Sequence, residues 1–371
     1  MREGWEIKKL GEICDIIGGS TPKRTEKSFW ENGIYPWFTI EDIRTQGRII
    51  TDTQQKITLL AWNKLRVVPK NSILLCCTAS IGEYALTKIP LTTNQQFNAL
   101  VIKDETTILP EFLMLVCSTF KDILLSMSGK ATINFVSADK VKQILIPIPP
   151  LSEQQKIVEE LDCLSKMIEL KKKQLETYDK LAQSIFYDMF GNPITNEKGW
   201  KIKPLSQVCR NYDNLRKPIT AKDREVGTIP YYGASGIVDF VKDYIFDGDY
   251  LLVSEDGANL LVRHTPIAFS ATGKIWVNNH AHILGFDKIE TKTFVEYFIN
   301  LMDISHLITG CAQPKLTQAN LNTIPVFDIP ERFQQQFAEK IEAIEKQKEL
   351  IKQTLKGLEE LFNSRMDYYF N

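Results

Sequence analysis

The sequence predicts an α+β protein: two globular mixed α/β domains separated by two long helices, which pair as an antiparallel coiled coil in a pseudo-twofold internal repeat. Three observations predict this fold. Two stretches of the chain occur twice, each copy closes with apolar residues at helical spacing, and strand-like runs alternate with turns elsewhere. The predicted segments are a first domain (1–150), a central spacer helix (151–191), a second domain (192–330) and a C-terminal spacer helix (331–371).

The internal repeat is the strongest of these observations. The opening motif at 4–14 returns at 199–209, and residues of 150–190 return at 330–370 with a constant shift (330 − 150 = 370 − 190 = 180). Two copies are too few for a solenoid. They suit one chain that imitates a symmetric dimer and engages two things at once.

Length and composition set the class of protein. With 371 residues, 43% of them hydrophobic and 25% charged, the chain fits two globular units plus connectors. Residues 1–5 lead straight into structured-looking sequence, and no apolar run approaches the ~18 residues of a membrane span. Seven scattered cysteines without a C-x-x-C pair read as reduced thiols, so we expect a cytoplasmic protein. The net charge of −1 leaves contacts with nucleic acid to local basic patches or partner subunits.

The first domain alternates strand-like runs with short helical stretches. Residues 72–77, 97–102 and 144–148 are rich in apolar residues suited to strands, and residues 111–116 suit a helix. Prolines at 147, 149 and 150 then forbid a helix up to that point.

The central helix has a predicted start and stop. Ser152 is the expected N-cap, with Gln155 three residues later in a capping-box arrangement. Gly191 followed by Pro193 is typical of a helix end.

Apolar residues recur in both long helices at alternating spacings of three and four, which predicts a coiled-coil seam. Lys171 and Lys348 interrupt the seam and would help to fix its register. Two ordinary amphipathic surface helices are the alternative. The predicted helix-pairing residues are Leu161, Leu164, Ile168, Leu175, Tyr178, Ile185, Ile341, Ile344, Ile351, Leu355, Leu358 and Phe362.

The second domain has the same style but a different sequence. Residues 249–253, 267–269 and 274–277 predict strands. Only its opening motif and the stretch near 317–330 repeat the first domain, as expected of two domains that do one job on different targets.

Catalytic motifs are absent from the sequence. It contains neither a phosphate-binding G-x-x-x-x-G-K-[ST] loop nor a G-x-G-x-x-G fingerprint. The acidic clusters 247–249 and 255–257 more often mark turns than metal sites. His280 and His282 would share one strand face, but no third ligand is visible nearby, so we predict no metal and no catalytic residue.

Polar loops suited to reading DNA occur in both domains. Arginine and lysine can contact phosphates or guanine, asparagine and glutamine can read adenine, and glutamate can accept from cytosine. A solvated loop remains the alternative for any single residue. The candidate DNA-binding residues are Ser20, Thr21, Lys23, Arg24, Lys27, Thr78, Ser80, Asn94, Gln95 and Gln96 in the first domain, and Arg216, Lys217, Ser254, Glu255, Asn259, Arg263, Lys274, Asn278, Asn279 and His280 in the second.

Four short motifs stand out: the Ile-Pro-Pro-Leu-Ser-Glu-Gln-Gln-Lys-Ile motif at 148–157, the Phe-Gly-Asn-Pro end at 190–193, the domain opening at 4–10 and the Gly-Gly-Ser-Thr-Pro loop at 18–22. With these motifs, the whole chain resembles the specificity subunit of Type I restriction–modification enzymes. Residues 257–260 and 276–282 are similar to loops of the second domain of such proteins. The C-terminal copy of the helix motif, at 328–335, lacks the second proline and the Ser-Glu pair.

The resemblance implies a subunit without catalytic activity or cofactors of its own. Each target-recognition domain would bind one half of a split, asymmetric double-stranded DNA site, and the helices would set the gap between the halves. Two modification subunits would use S-adenosylmethionine to methylate adenine, and restriction subunits would add ATP- and Mg²⁺-dependent cleavage. Two other functions stay open: a coiled-coil scaffold without a DNA role, and a metal-dependent nuclease that uses Asp247 or Asp256.

Overall fold

The computed structural model describes residues 4–128, 135–310 and 312–370. The chain divides into two compact units, Met1–Glu169 with Lys356–Asn371, and Leu170–Leu355. Each unit therefore contains one globular part and a segment of each long helix. No helix in these described ranges is both long enough and apolar enough to cross a membrane.

Within the described residues, the globular part of the first unit carries ten strands and six short α-helices. In chain order they are β1 (Glu6–Lys9), α1 (Leu10–Ile13), β2 (Cys14–Gly18), β3 (Tyr35–Phe38), α2 (Ile40–Gln46), β4 (Ile49–Ile50), β5 (Gln55–Ile57), α3 (Leu59–Trp62), β6 (Ser72–Cys76), β7 (Tyr84–Thr87), β8 (Thr92–Thr93), β9 (Phe97–Ile102), α4 (Pro110–Cys117), α5 (Phe120–Met127), α6 (Ala138–Lys142) and β10 (Leu145–Ile148), followed by the central helix α7 (Leu151–Phe190).

The globular part of the second unit follows α7. Its elements are β11 (Ile202–Pro204), β12 (Arg210–Asn211), β13 (Val226–Gly233), β14 (Gly236–Val241), β15 (Phe246–Ser254), α8 (Asn259–Val262), β16 (Ala268–Val277), β17 (Ala281–Gly285), α9 (Ile289–Leu301), β18 (Ile308–Thr309), β19 (Lys315–Leu316), α10 (Gln318–Asn322) and β20 (Pro325–Phe327), followed by the C-terminal helix α11 (Glu331–Phe370).

Sheet topology brings particular loops together in each unit. The main sheet of the first unit has the order β2-β9-β6-β7-β4, and both β2 and β6 run antiparallel to β9. The ends of β2 and β6 therefore lie beside the start of β9. The main sheet of the second unit has the order β12-β17-β15-β16-β13-β14, and the end of β15 pairs with the start of β17 at Ser254 and Ala281.

The sequence repeat is also a structural repeat. Strand β1 pairs antiparallel with β10, and β11 pairs in the same way with β20. Helix α6 begins at a Ser137 side chain that accepts from the Lys140 amide, and α10 begins at the equivalent Thr317, which accepts from Asn320. In each unit, one strand of the pair therefore begins the globular part and the other ends it.

Both long helices match their predicted bounds to within one residue, but the predicted capping box is wrong. The carbonyl of Pro150 accepts from the amides of Glu153 and Gln154, so the helix begins at Leu151 and Ser152 lies exposed inside the first turn. Gly191, with φ +80°, follows the last helical residue, in agreement with the predicted glycine stop.

Every residue predicted to pair the helices is buried or half-buried. In the second unit α7 and α11 run antiparallel: Phe186 packs on Phe337 with ring centroids 5.6 Å apart, and Lys348 pairs with Asp179 at 2.8 Å. In the first unit Glu160 accepts hydrogen bonds from Arg365 at 2.9 Å and Tyr369 at 2.6 Å. The two helices thus pair in both units.

Candidate nucleic-acid interfaces

In the first unit, two of the predicted polar loops pack directly on each other at the edge where β2 ends. The Gly19 amide donates to the Phe97 carbonyl at 3.0 Å, and the Ser20 amide donates to Thr93 at 2.8 Å. Thr21 Oγ1 donates to Gln95 Oε1. The approach requires glycine, because a Cβ at position 19 would lie 2.1 Å from the Asn94 carbonyl oxygen.

A third polar loop joins this edge through the backbone. The Cys77 amide donates to the Gln96 carbonyl at 2.8 Å, which places Thr78 and Ser80 beside the loop of Asn94 and Gln96. Asn94 Nδ2 donates to Gln96 Oε1 at 3.1 Å, so the two amides hold each other. The candidates at 20–24, 78–80 and 94–96 therefore form one polar edge.

Two tryptophans hold the loop that carries Arg24. Trp30 Nε1 donates to the Lys23 carbonyl at 3.0 Å, and Trp37 Nε1 lies 3.4 Å from the Ser20 carbonyl. The Arg24 guanidinium lies 4.0 Å and 4.5 Å from the centres of the two indole rings and donates to Gln55 Oε1 at 2.8 Å. These contacts fix a solvent-exposed guanidinium in one place.

Lys23 and Lys27 are exposed cations near this edge. Lys27 lies in the short helix Lys27–Phe29 and pairs with Glu31 at 3.4 Å. An exposed pair of this kind contributes little to stability, so both lysines remain available to a phosphate.

In the second unit the corresponding strand ends meet over a buried group of charged residues. We call Asp213, Arg216, Glu255, His282 and Lys315 the ion cluster. His282 Nδ1 lies 2.6 Å from Asp213, Arg216 Nη1 lies 2.7 Å from Glu255, and Lys315 Nζ lies 3.0 Å from Glu255. Only Lys315 is substantially exposed, at 50% of its side chain.

Burial and the neighbouring hydrogen-bond donors have opposite effects on the pKa values of Asp213 and Glu255. Burial acts to raise the pKa of Asp213, but hydrogen bonds from His282 and the Ile283 amide outweigh it and hold this pKa below its usual value. Burial likewise acts to raise the pKa of Glu255, and hydrogen bonds from Arg216 and Lys315 outweigh it. Both carboxylates are therefore stabilised in their charged form.

The ion cluster contains a possible metal-ligand set that the sequence did not reveal. One ligand atom each from Asp213, Glu255 and His282 lies within 4.8 Å of the others. However, Arg216 and Lys315 already bind these carboxylates, and His282 Nε2 faces the Leu316 carbonyl at 2.8 Å. The arrangement fits protein cations better than a metal ion. His280 is exposed and contacts Asp256 at 2.8 Å, so the two histidines have different partners.

Several second-domain candidates lie below the surface. Ser254 Oγ donates to the Ala234 carbonyl, and Asn278 Oδ1 accepts from the His280 amide at 2.8 Å. Ser254, Asn278 and Glu255 are 1%, 6% and 9% exposed, so their side chains cannot reach a ligand in this conformation. The exposed candidates on the same edge are Lys217, Asn279 and His280.

Three other candidates have intramolecular partners away from this edge. Asn259 Nδ2 donates to the Thr265 carbonyl at 3.0 Å, and Asn259 Oδ1 accepts from the Thr265 amide at 3.1 Å. Arg263 donates to the carbonyls of Ile299 and Met302 at the end of α9, and burial lowers its pKa. Lys274 pairs in register with Asp247 at the other end of β15 and lies 4.7 Å from the Tyr244 ring centre.

The residues that support these loops were not among the predicted DNA-binding residues. Trp30, Trp37 and Gln55 hold Arg24, and Asp213, His282 and Lys315 complete the ion cluster. The paired tryptophans near a polar loop were a usable signal. The ion cluster had no short-range signal, because Asp213 and His282 are 69 positions apart.

Comparison with known proteins identifies a family to which this chain is similar. A family model described as the Type I restriction modification DNA specificity domain matches residues 2–177 and 197–360. The chain is 28% identical over 373 residues to the Type I restriction enzyme MjaIX specificity subunit of Methanocaldococcus jannaschii, which covers 90% of this chain and 85% of that protein. It is 27% identical over 350 residues to the EcoprrI specificity subunit of Escherichia coli, with coverage of 88% and 84%.

Solved structures support the same fold. The S subunit of a Type I restriction–modification system from M. genitalium superposes with a TM-score of 0.60 at 15% identity, over 99% of this chain and 96% of that one. The chain therefore belongs to the family of Type I restriction–modification specificity subunits, and it contains two copies of the family's domain.

Proposed function

We propose that this chain is the DNA-recognition subunit of a Type I restriction–modification complex, and that each globular domain reads one half of a split, asymmetric site. The observation that carries the proposal is the convergence, in each unit, of exposed polar loops at one edge of the main sheet. Membership of the family supports a role in recognising DNA sequence. The chain itself performs no catalysis in this proposal.

The reading residues differ between the two domains. In the first, Arg24 suits a guanine edge or a phosphate, and Gln95 is an exposed amide suited to adenine. In the second, Lys217, Asn279 and His280 are the exposed side chains on the equivalent edge. The near-zero net charge is consistent with phosphate contacts that partner subunits share.

The long helices offer a surface for those partners. Each helix has an uncharged flank beside the seam, while the opposite flank is mostly charged. Leu170, Leu181, Leu350 and Leu361 on the uncharged flanks are 65%, 45%, 56% and 47% exposed. The uncharged flank consists of Cys163, Met167, Leu170, Gln174, Thr177, Leu181 and Ser184 on α7, and of Ala343, Gln347, Leu350, Thr354, Gly357, Leu361 and Ser364 on α11.

We propose that these flanks dock two modification subunits. The two flanks occupy repeat-equivalent positions (343 − 163 = 364 − 184 = 180), so the same surface exists twice and suits two copies of one partner. Exposed leucines on otherwise charged helices indicate a protein contact. S-adenosylmethionine would be bound by these subunits, and ATP and Mg²⁺ would be used by the restriction subunits.

We propose that the complex acts in the cytoplasm, and the free thiols of the six cysteines in the described ranges are consistent with a reducing compartment. Burial raises the pKa of Cys14 and of Cys209 to about 12, which keeps these two thiols protonated and unreactive.

Mapping methylated adenine across the genome of the source cell, with and without this gene, tests the proposed function. Loss of one split motif with a fixed gap would support it and give both half-sites. If the map is unchanged while the partners are present and active, the recognition role is wrong. Turnover of DNA by the purified chain alone would instead favour a nuclease.

A further inference from the structure

We propose that the ion cluster is the positioning unit of the second recognition domain: its buried charges hold the reading loops in place without touching DNA themselves. The assignment of reading loops rests on the proposed function above. The positioning role rests on the contacts of the cluster alone.

The cluster joins four segments that are distant in sequence. Asp213 and Arg216 follow β12, Glu255 follows β15, His282 lies in β17, and Lys315 begins β19. Their side chains meet in one place, and Glu255 and His282 each contact the segments of Asp213–Arg216 and of Lys315–Leu316. Ser254 pairs with Ala281 and Asn211 with Leu284, which brings the strand ends to the same edge.

Side chains of the cluster also bind the main chain of the exposed loops. Arg216 Nη1 donates to the Ala281 carbonyl at 2.7 Å, next to exposed His280. Asp213 accepts from the Ile283 amide at 2.9 Å. Backbone bonds from Glu255 to His280 and from Leu316 to Glu255, at 2.9 and 2.7 Å, complete the connection. The positions of Lys217, Asn279 and His280 therefore follow from the cluster.

Each charged group of the ion cluster contacts another member, so replacing one residue removes a partner from at least one other. Both ring nitrogens of His282 have partners, namely the Asp213 carboxylate at 2.6 Å and the Leu316 carbonyl at 2.8 Å. Glu255 receives one cation on each carboxylate oxygen. Removing one charge would leave another buried without its partner, so the loops should loosen together.

The first domain supplies an internal control. Its Arg24 loop is held by tryptophan rings and by a contact to Gln55. A change in the ion cluster should therefore affect the second half-site only.

The first experiment measures hydrogen–deuterium exchange of the purified full chain and of Glu255→Gln. Exchange at the amides of 213–217, 255–257, 280–283 and 314–316 should rise together by about tenfold in the variant, as expected of one cooperative unit. The matched control is Glu225→Gln, which breaks an exposed ion pair with Lys242 in the same domain. A rise confined to residues near 255, or no rise beyond that of the control, would overturn the positioning role.

A conservative variant keeps the proposal testable if Glu255→Gln fails to fold. Arg216→Lys retains the charge but cannot reproduce the contacts that two guanidinium nitrogens make, from Nη1 to Glu255 and Ala281 and from Nε to the Asp213 carbonyl, and should loosen the same four segments to a smaller extent. Unchanged exchange in Arg216→Lys would contradict the proposal.

The second experiment expresses these variants in place of the normal gene and maps methylated adenine. Methylation should fall about tenfold at cognate sites or spread to altered second half-sites, while the first half-site stays the same. Equal relaxation of both half-sites would count against positioning. If the unmodified strain shows no split methylation motif, the proposed function is wrong. The hydrogen–deuterium exchange measurement would still decide the role of the ion cluster.

Discussion

Gln154 and Gln334 occupy repeat-equivalent positions in the first turn of the two long helices, and each donates a hydrogen bond from Nε2 to the carbonyl five residues earlier. The acceptors are Pro149 at 2.8 Å and Ile329 at 2.7 Å. The amide thus ties the start of each helix to the strand that precedes it. This explains why the glutamine recurs even though Ile329 and Arg332 replace Pro149 and Ser152 in the second copy.

Replacing Gln154 with alanine should destabilise the first unit strongly. The side chain is fully buried, donates also to the Thr107 carbonyl and accepts from the Leu109 amide. Leaving these groups unpaired should cost about 2–4 kcal/mol in the free energy of unfolding, measured by urea denaturation. Gln155→Ala is the matched control, because Gln155 is exposed and its side chain donates to Glu159 Oε1 at 2.9 Å, one helical turn away. Equal stability of both variants would contradict this role.

Replacing Arg24 with alanine should weaken recognition of the first half-site. If the guanidinium binds a guanine edge, binding of the assembled complex should fall about 5- to 100-fold. Competition between duplexes altered in one half-site measures the effect, and the preference at the second half-site should persist. Lys27→Ala serves as the control for lost positive charge, because Lys27 is exposed and forms a surface ion pair with Glu31. A similar loss in both variants would indicate a general charge effect rather than base reading.

A charge on the uncharged flank should prevent assembly. Leu181→Lys, and Leu361→Lys at the equivalent position, should each reduce copurification of modification subunits several-fold, because a lysine would be desolvated in the contact. Glu176→Lys places the same residue on the charged flank of α7 and should leave assembly intact. The stoichiometry of the purified complex, from mass photometry, gives the answer. If all three variants assemble normally, the modification subunits dock on a different surface.

The ion cluster should lose its stabilising effect in acid. The pKa values of Asp213 and Glu255 are lowered in the folded protein, so their contribution is present above the unfolded values of ~4 and disappears as the pH falls through the folded values. Urea denaturation between pH 3 and pH 7 should show the difference in stability between the unmodified protein and Glu255→Gln shrinking below about pH 4. A difference that stays constant over this range would show that Glu255 carries no such linkage.

The elements that sequence analysis predicted best depend on local pattern. The long helices follow from a period that recurs along a single segment, so burial of Leu161, Leu175 or Ile351 could be read directly from spacing. The capping box failed for a local reason too. Ser152 and Gln155 have the expected spacing, but the Pro150 carbonyl already accepts the first helical amides.

The candidate interface was only partly predictable, because polarity does not distinguish a solvated side chain from a buried charge pair. Glu255 and Arg216 looked like DNA contacts from their loops, yet they bind each other. Their burial depends on strand pairing between β12, β15 and β17, which brings together residues tens of positions apart. No local pattern contains that information.

The ion pairs between the long helices distinguish α7 from α11. Glu160 meets Arg365 in the first unit and Asp179 meets Lys348 in the second. Shifting by the repeat of 180, the residue equivalent to Glu160 is Lys340, so two copies of α11 paired in this register would set Lys340 against Arg365. Two copies of α7 would set Glu160 against Ile185.

Like charges or an unmatched carboxylate therefore penalise self-pairing, whereas the pairing within one chain satisfies both ion pairs. The charges at these positions thus select which helix pairs with which, even though both helices follow one repeated apolar pattern.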